Sequence, residues 1–199
     1  MKKFQIVKIV LELFVFLSIV SCIIVNFAIK GIFGEGGLTQ FRYFTVLSNL
    51  YLGIICLISA INTKKGNNKI ITILYLGAIL ATTVTFLVTG LFLSRVYGFK
   101  MLYNKTNFFM HLVNPLVGLF LLGFIRFDLD YKSSLFALIP FLLYAIIYLV
   151  LVVGTKTWPD FYGFNQGGKW YITAIVMPVL VFILNIPLYF LGKVGFKNE

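Results

Sequence analysis

Charge is scarce in this sequence. Only 6 of the 199 residues are Asp or Glu, and charged residues of both signs make up 12% of the chain, compared with roughly 25% in soluble domains. Residues 70–93 and 134–154 contain no charged side chain, and each segment is long enough for the ~20 residues that cross a bilayer core. The lack of charge therefore excludes an ordinary water-soluble domain.

Metal ligands are equally scarce. The chain has one His and two Cys, and the cysteines, Cys22 and Cys56, lie in apolar segments, where a thiol behaves as a small hydrophobe. Without clustered His and Cys spacing there is no recognisable zinc site. We expect no disulfide, no bound metal and no cofactor.

The few charges are mostly basic, because 17 Lys and Arg give the chain a net charge of +11. They lie in short connections between apolar runs rather than along one face or in one motif, which argues against nucleic acid as a partner. Anionic lipid headgroups are the expected partners of these side chains.

Apolar runs dominate the chain, with 60% hydrophobic residues and a mean hydropathy of +0.99. No linker or change of composition marks a boundary, so residues 1–199 are expected to form one domain. The predicted fold class is all-α, a polytopic membrane protein built as a bundle of six transmembrane helices. The apolar runs predict these helices near residues 9–29, 43–61, 70–93, 108–125, 134–154 and 171–191.

The first apolar run has a second interpretation. Lys2, Lys3 and Lys8 followed by apolar residues resemble a signal peptide, and residues 19–22, Ile-Val-Ser-Cys, loosely resemble a lipoprotein cleavage box. The run continues to Ala28, which is longer than a typical signal core. We favour a first span, with a cleaved signal peptide as the alternative.

Basic residues also predict the orientation of the bundle in a cell membrane. With six spans both termini share one side, and this side carries ten of the 17 Lys and Arg. Both termini are therefore expected in the cytoplasm. The ten residues are Lys2, Lys3, Lys8, Lys64, Lys65, Lys69, Arg126, Lys132, Lys193 and Lys197.

Polar residues inside the apolar runs gather where the second and fourth spans begin. Residues 41–50 read Phe-Arg-Tyr-Phe-Thr-Val-Leu-Ser-Asn-Leu, and residues 109–115 read Phe-Met-His-Leu-Val-Asn-Pro. At ~1.5 Å per residue, Thr45 and His111 lie within about a turn of their helix starts and so at similar depth. Polar groups below a membrane surface usually point into the bundle or a wet cavity. We therefore expect these two residues to share one site.

A Thr hydroxyl beside an imidazole is a candidate for nucleophilic catalysis. The hydroxyl of Thr45 needs a base to remove its proton, and a neutral His111 can accept that proton near pH 7. Residues three, four or seven apart share a helix face, so further polar side chains can donate hydrogen bonds to an oxyanion or bind substrate. These are Arg42, Ser48 and Asn49 on the second span and Asn114 on the fourth.

A structural interpretation of the polar residues remains open. Ser, Thr and Asn often join membrane helices, and a single His near the interface is commonly only hydrogen-bonded. The same interpretation is favoured for the threonine face of the third span, Thr82, Thr85 and Thr89, and for Glu12, where a structural hydrogen bond is favoured over a proton relay.

Three motifs resemble a known family. Residues 41–50, the segment His111-Leu112-Val113-Asn114-Pro115 and residues 158–164, Trp-Pro-Asp-Phe-Tyr-Gly-Phe, are similar in order and in span count to the Pr6Pr family of six-span bacterial membrane proteins. That family resembles the androgen-induced-gene-like integral membrane hydrolases, which cleave fatty acid esters of hydroxy fatty acids with a Thr and a His. The resemblance implies that Thr45 is the nucleophile and His111 the base. A related group includes acyltransferases.

Two further candidates lie in the connection after the fifth span. Asp160 can orient His111 as the third member of a triad, although a carboxylate that faces solvent or headgroups is the favoured interpretation. Asn165, in the same connection, is a candidate for substrate binding.

The sequence thus predicts an integral membrane lipid hydrolase of the threonine type. Its expected partners are membrane lipids and an amphiphilic acyl substrate, whose carbonyl lies at interfacial depth and whose acyl chain lies among the helices. The alternatives are a non-catalytic protein that binds or transports a lipid or small molecule, and a structural or assembly subunit. The oligomeric state does not follow from the sequence.

Overall fold

The computed structural model describes residues 3–32, 37–62, 68–101, 104–125 and 128–196, and this part of the chain is helical, with no β-strand. The all-α prediction is confirmed. The long helices are α1 (Lys3–Lys30), α2 (Phe44–Asn62), α3 (Lys69–Leu93), α4 (Thr106–Leu122), α5 (Tyr131–Gly154) and α6 (Trp170–Val194). Short helical segments follow or precede them at Leu38–Arg42, Ser94–Tyr97, Phe99–Met101 and Gln166–Gly168.

Five of these helices, α1, α2, α3, α5 and α6, are long and apolar enough to cross a membrane. This finding supports a membrane protein. Helix α4 is apolar but shorter, and it ends at Leu122, before the predicted limit at residue 125, because residues 123–125 form a turn. The sixth span therefore stays a prediction.

Helix α3 lies at the centre of the bundle and packs against α2, α4, α5 and α6, while α1 packs against α2 and α4. Its residues Leu76, Ile79 and Leu80 are fully buried. By contrast, Leu17 on α1 and Ile175 on α6 are more than half exposed. Lipid tails can cover such outward-facing side chains without cost, because they are as apolar as the side chains themselves.

One end of the bundle differs from the other in backbone geometry. Here α1, α3 and α5 finish and α2, α4 and α6 begin, and we call it the site end. Three π turns occur at this end: Thr89–Leu93, Phe109–Val113 and Val150–Gly154. A π turn adds a residue to a helical turn and is frequent at functional sites.

Toward the opposite end, α1 carries a buried ion pair. Lys8 Nζ lies 3.0 Å from Glu12 Oε1 and donates a hydrogen bond of 2.8 Å to Ser59 Oγ on α2. The Tyr75 hydroxyl on α3 donates to Glu12 Oε1 over 3.2 Å. These contacts give Glu12 the structural hydrogen bonds that were favoured over a relay. Helix α1 begins at Lys3, before the predicted limit at residue 9.

The orientation prediction rests partly on residues about which the structure gives no information. Without them, the direction in which the bundle is inserted stays a prediction. Lys2, Lys64, Lys65, Arg126 and Lys197 lie outside the described residues.

Candidate functional site

The two residues predicted to share a site are in contact. Thr45 is the second residue of α2, and His111 lies in the π turn of α4, 66 residues later in the chain. Thr45 Oγ1 is 3.2 Å from His111 Nε2, which is hydrogen-bonding distance. His111 is only 5% exposed, whereas Thr45 is half-buried. The imidazole therefore lies on the side of the Thr45 hydroxyl that faces the protein interior.

The other imidazole nitrogen is not oriented by a carboxylate. His111 Nδ1 has no hydrogen-bond partner among the described residues. If Thr45 donates its proton to Nε2, a neutral imidazole must carry its own proton on Nδ1. The contact is therefore a hydroxyl–imidazole pair, without the third member of a triad.

Asp160, the predicted third member, is engaged elsewhere. Its Oδ1 accepts hydrogen bonds from the Tyr148 hydroxyl (3.0 Å) and the Phe164 N–H (2.7 Å), and its Oδ2 accepts one from the Asn165 N–H (2.8 Å). These bonds hold the connection between α5 and α6 in place. Among the described residues, Asp160 makes no hydrogen bond to His111. It is half-buried, so its exposure to solvent or headgroups stays a prediction. Asn165 contributes its backbone N–H to this network.

A cavity of about 350 Å³ opens beside Thr45, between α3, α5, α6 and the start of α2. Thr45, Thr85 and Thr89 contribute hydroxyls to its wall, while most of the lining is apolar. Among the described residues, His111 is not part of this wall. Thr45 thus stands between the cavity and the imidazole, where a nucleophile needs to be. Packing, the interpretation favoured for the α3 threonines, holds for Thr82, which bonds to helix carbonyls.

Tyr162 is a site residue that the sequence did not single out. Its hydroxyl accepts a 2.9 Å hydrogen bond from the N–H of Phe44, the first residue of α2. It also interacts with Thr45 and with the Tyr144 side chain, and it lines the cavity. Burial raises the pKa of Tyr162 to about 12, so the phenol stays protonated and can donate a hydrogen bond at neutral pH. The signal for it was its place in the 158–164 motif.

The amides predicted as oxyanion donors join helices instead. Asn49 Nδ2 donates to the carbonyls of Thr45 (2.8 Å) and Met110 (2.9 Å), and Asn114 Nδ2 donates to Asn49 Oδ1 (3.1 Å). Ser18 Oγ on α1 in turn donates to Asn114 Oδ1 over 2.9 Å. Both amides are fully buried, and neither lines the cavity among the described residues. They fix α1, α2 and α4 together, so that Thr45 and His111 meet.

The two remaining predicted donors also lie off the cavity wall. Ser48 Oγ bonds to the Thr45 carbonyl (3.1 Å) and to Thr85 Oγ1 (3.0 Å). Arg42 is exposed, and its guanidinium lies 6.0 Å from the centre of the Trp158 ring. The structure therefore brings Thr45 and His111 together, places Ser48, Asn49 and Asn114 in their support, and leaves Arg42 on the surface.

No group of three or more His, Cys, Asp or Glu that could hold a metal ion occurs in the described part of the chain. The site can offer a hydroxyl nucleophile, a base and a protonated phenol beside an apolar cavity.

No family model matches the chain, and neither a curated protein nor a solved structure is significantly similar to it.

Proposed function

We propose that this protein is an integral membrane hydrolase of lipid acyl esters, with Thr45 as nucleophile and His111 as general base. One observation carries the proposal: Thr45 lines the cavity, and its Oγ1 lies 3.2 Å from Nε2 of the buried His111. A hydroxyl so placed can face a substrate while the imidazole takes its proton. The apolar lining suits an acyl chain.

The reaction requires two steps. Thr45 Oγ attacks the ester carbonyl carbon while its proton passes to His111 Nε2, and that proton then leaves with the alcohol as the ester C–O bond breaks. Water next attacks the acyl-threonine, giving one proton to His111, and the acid leaves as the Thr45 hydroxyl is restored. Acyl transfer to another alcohol in place of water is the same chemistry.

The negative charge that develops on the ester carbonyl oxygen needs a hydrogen-bond donor, and we propose the Tyr162 hydroxyl for this role. Its phenol is protonated at neutral pH and lies beside Thr45. Thr45 is also at the N-terminus of a 19-residue helix, whose partial positive charge favours a developing anion. Loss of one such donor typically costs 10²–10³-fold in rate.

The proposed membrane topology has six spans, with α4 as the fourth and both termini in the cytoplasm of a cell. Helix α4 has 17 residues between Thr106 and Leu122, which cover about 25 Å at ~1.5 Å per residue, close to the ~30 Å of a bilayer core. The resemblance to the Pr6Pr family supports the same count. A reporter fused after α6 is expected to be active only on the cytoplasmic side. External activity would overturn this topology.

Labelling with a fluorophosphonate, which reacts with activated hydroxyls, tests the proposed nucleophile. The purified protein is expected to gain one covalent phosphonyl group, and peptide mass spectrometry should place it on Thr45. The Thr45→Ala variant should lose this labelling completely. Long-chain ester hydrolysis should fall to background in the same variant.

Thr89→Ala is the matched control, because Thr89 lines the same cavity but belongs to α3. It should keep the labelling of the unmodified protein. The Tyr162→Phe variant should still be labelled at Thr45, but about 10²–10³-fold more slowly, as expected for a missing oxyanion donor. Equal turnover in the unmodified protein and Thr45→Ala would exclude the threonine mechanism. Neither labelling nor turnover in the unmodified protein would favour a non-catalytic lipid-binding protein.

A further inference from the structure

Residues of the connection between α5 and α6 cover part of the cavity beside Thr45 at the site end. Tyr162, Gly163 and Phe164 form part of its wall there. Asp160 holds these residues through the Tyr148 hydroxyl and the Phe164 N–H. We call residues 158–164 the roof. An aromatic roof fixed by a part-buried hydrogen-bond network is a poor path for a substrate from water.

Between α5 and α6, by contrast, the cavity is lined by side chains that are also exposed at the surface of the bundle. Leu142 and Ile146 on α5, and Val176 and Leu180 on α6, line the cavity and are also 36%, 58%, 45% and 47% exposed. All four are apolar and belong to helices long and apolar enough to cross a membrane. The cavity therefore meets the lipid-facing surface of the bundle along this pair of helices.

Depth and polarity along the cavity fit one leaflet of a bilayer. Its threonines are Thr45, at the start of α2, Thr85 and Thr89, near the end of α3, and Thr173, near the start of α6. Its apolar lining extends along α6 to Leu180, ten residues and so about 15 Å from the start of that helix. This is about half of a ~30 Å hydrocarbon core.

From these three observations we infer that the acyl chain of a membrane-resident ester enters the cavity sideways, from the bilayer, through the gap between α5 and α6. The inference rests on the proposed function for the identity of the carbonyl that meets Thr45. The occupant is the acyl chain of a lipid in the leaflet at the site end. Its ester lies at Thr45, and its tail points toward the midplane.

Photocrosslinking in nanodiscs tests the route without requiring catalysis. The discs contain phosphatidylcholine and a lipid ester with a diazirine near the end of its acyl chain. Phe141 lines the cavity but is only 6% exposed, so an adduct there requires a chain inside. Adducts are expected at Phe141 and at the lipid-facing Ile175, but not at the equally buried Leu188, which lies off the cavity wall.

Two neighbouring substitutions on α6 give a matched pair. Val176→Trp places a large ring in the gap, whereas Ile175→Trp changes a residue that faces outward and lies off the described wall. Val176→Trp is expected to lower Phe141 adducts at least tenfold, and long-chain ester hydrolysis with them. Ile175→Trp should change none of these.

This experiment can overturn the lateral route or the catalytic proposal independently of the other. Phe141 adducts without ester hydrolysis would leave the lateral route standing and remove the catalytic proposal. Hydrolysis without Phe141 adducts, or adducts unaffected by Val176→Trp, would overturn the lateral route and leave catalysis by Thr45 intact.

Discussion

Replacing His111 by Gln is expected to slow phosphonylation of Thr45 and hydrolysis of long-chain esters by about 10²–10⁴-fold, the usual contribution of a general base. A Gln side chain can still hydrogen-bond to the Thr45 hydroxyl, but it cannot take up its proton. The substitution therefore separates positioning of the hydroxyl from its activation. Single-turnover labelling kinetics measure the effect directly.

Chemical rescue distinguishes lost chemistry from lost structure. The His111→Ala variant should be as slow as His111→Gln, and added imidazole should restore part of the rate, because the space left by the ring can admit a small base beside Thr45. Both variants should elute from size exclusion as the unmodified protein does. A labelling rate within a factor of two of the unmodified protein in both would show that His111 is only a structural partner of Thr45.

The largest expected effect on stability comes from the buried ion pair on α1. The Lys8→Met substitution leaves Glu12, which is 0% exposed, without its cationic partner. Removal of one member of a buried pair typically costs 3–5 kcal/mol, because the remaining charge loses its compensation. We expect a decrease of about this size in the free energy of unfolding, measured by chemical unfolding in detergent micelles.

The double substitution Lys8→Met/Glu12→Leu is the decisive comparison. Replacement of a buried pair by apolar side chains of similar volume is often neutral or stabilising, so the double variant should recover the stability that the single variant loses. Lys69→Met is the matched control, since Lys69 forms an exposed pair with Asp130 over 3.2 Å; it should have no measurable effect. A double variant no more stable than Lys8→Met would contradict this account of the pair.

The contact between Thr45 and His111 was accessible from the sequence, because both residues lie near the start of an apolar run. Depth in a membrane follows from counting residues, so two polar groups at equal depth could be paired without coordinates. The role of each polar side chain is different. Asn49 lies one turn beyond Thr45 and, like Thr45, points toward α4, but it bonds to the Met110 carbonyl and does not line the described cavity.

Residues of the roof could not be assigned by the same reasoning. The connection between α5 and α6 has no helical period, so its sequence does not show which side chains point inward. Asp160 was expected to meet His111 or water, and instead accepts three hydrogen bonds from its own neighbourhood. Tyr162 belongs to the same local network through its N–H, which donates to the Tyr148 hydroxyl, and its own hydroxyl reaches the start of α2.

The hydrogen bond from the Phe44 N–H to the Tyr162 hydroxyl joins the roof to the nucleophile's own helix. In the proposed mechanism, any excursion that lifts residues 158–164 also withdraws the phenol from Thr45. The proposed oxyanion donor would thus be in place only while the roof covers Thr45. This coupling would restrict the attack of Thr45 to esters whose acyl chains are already bound between the helices.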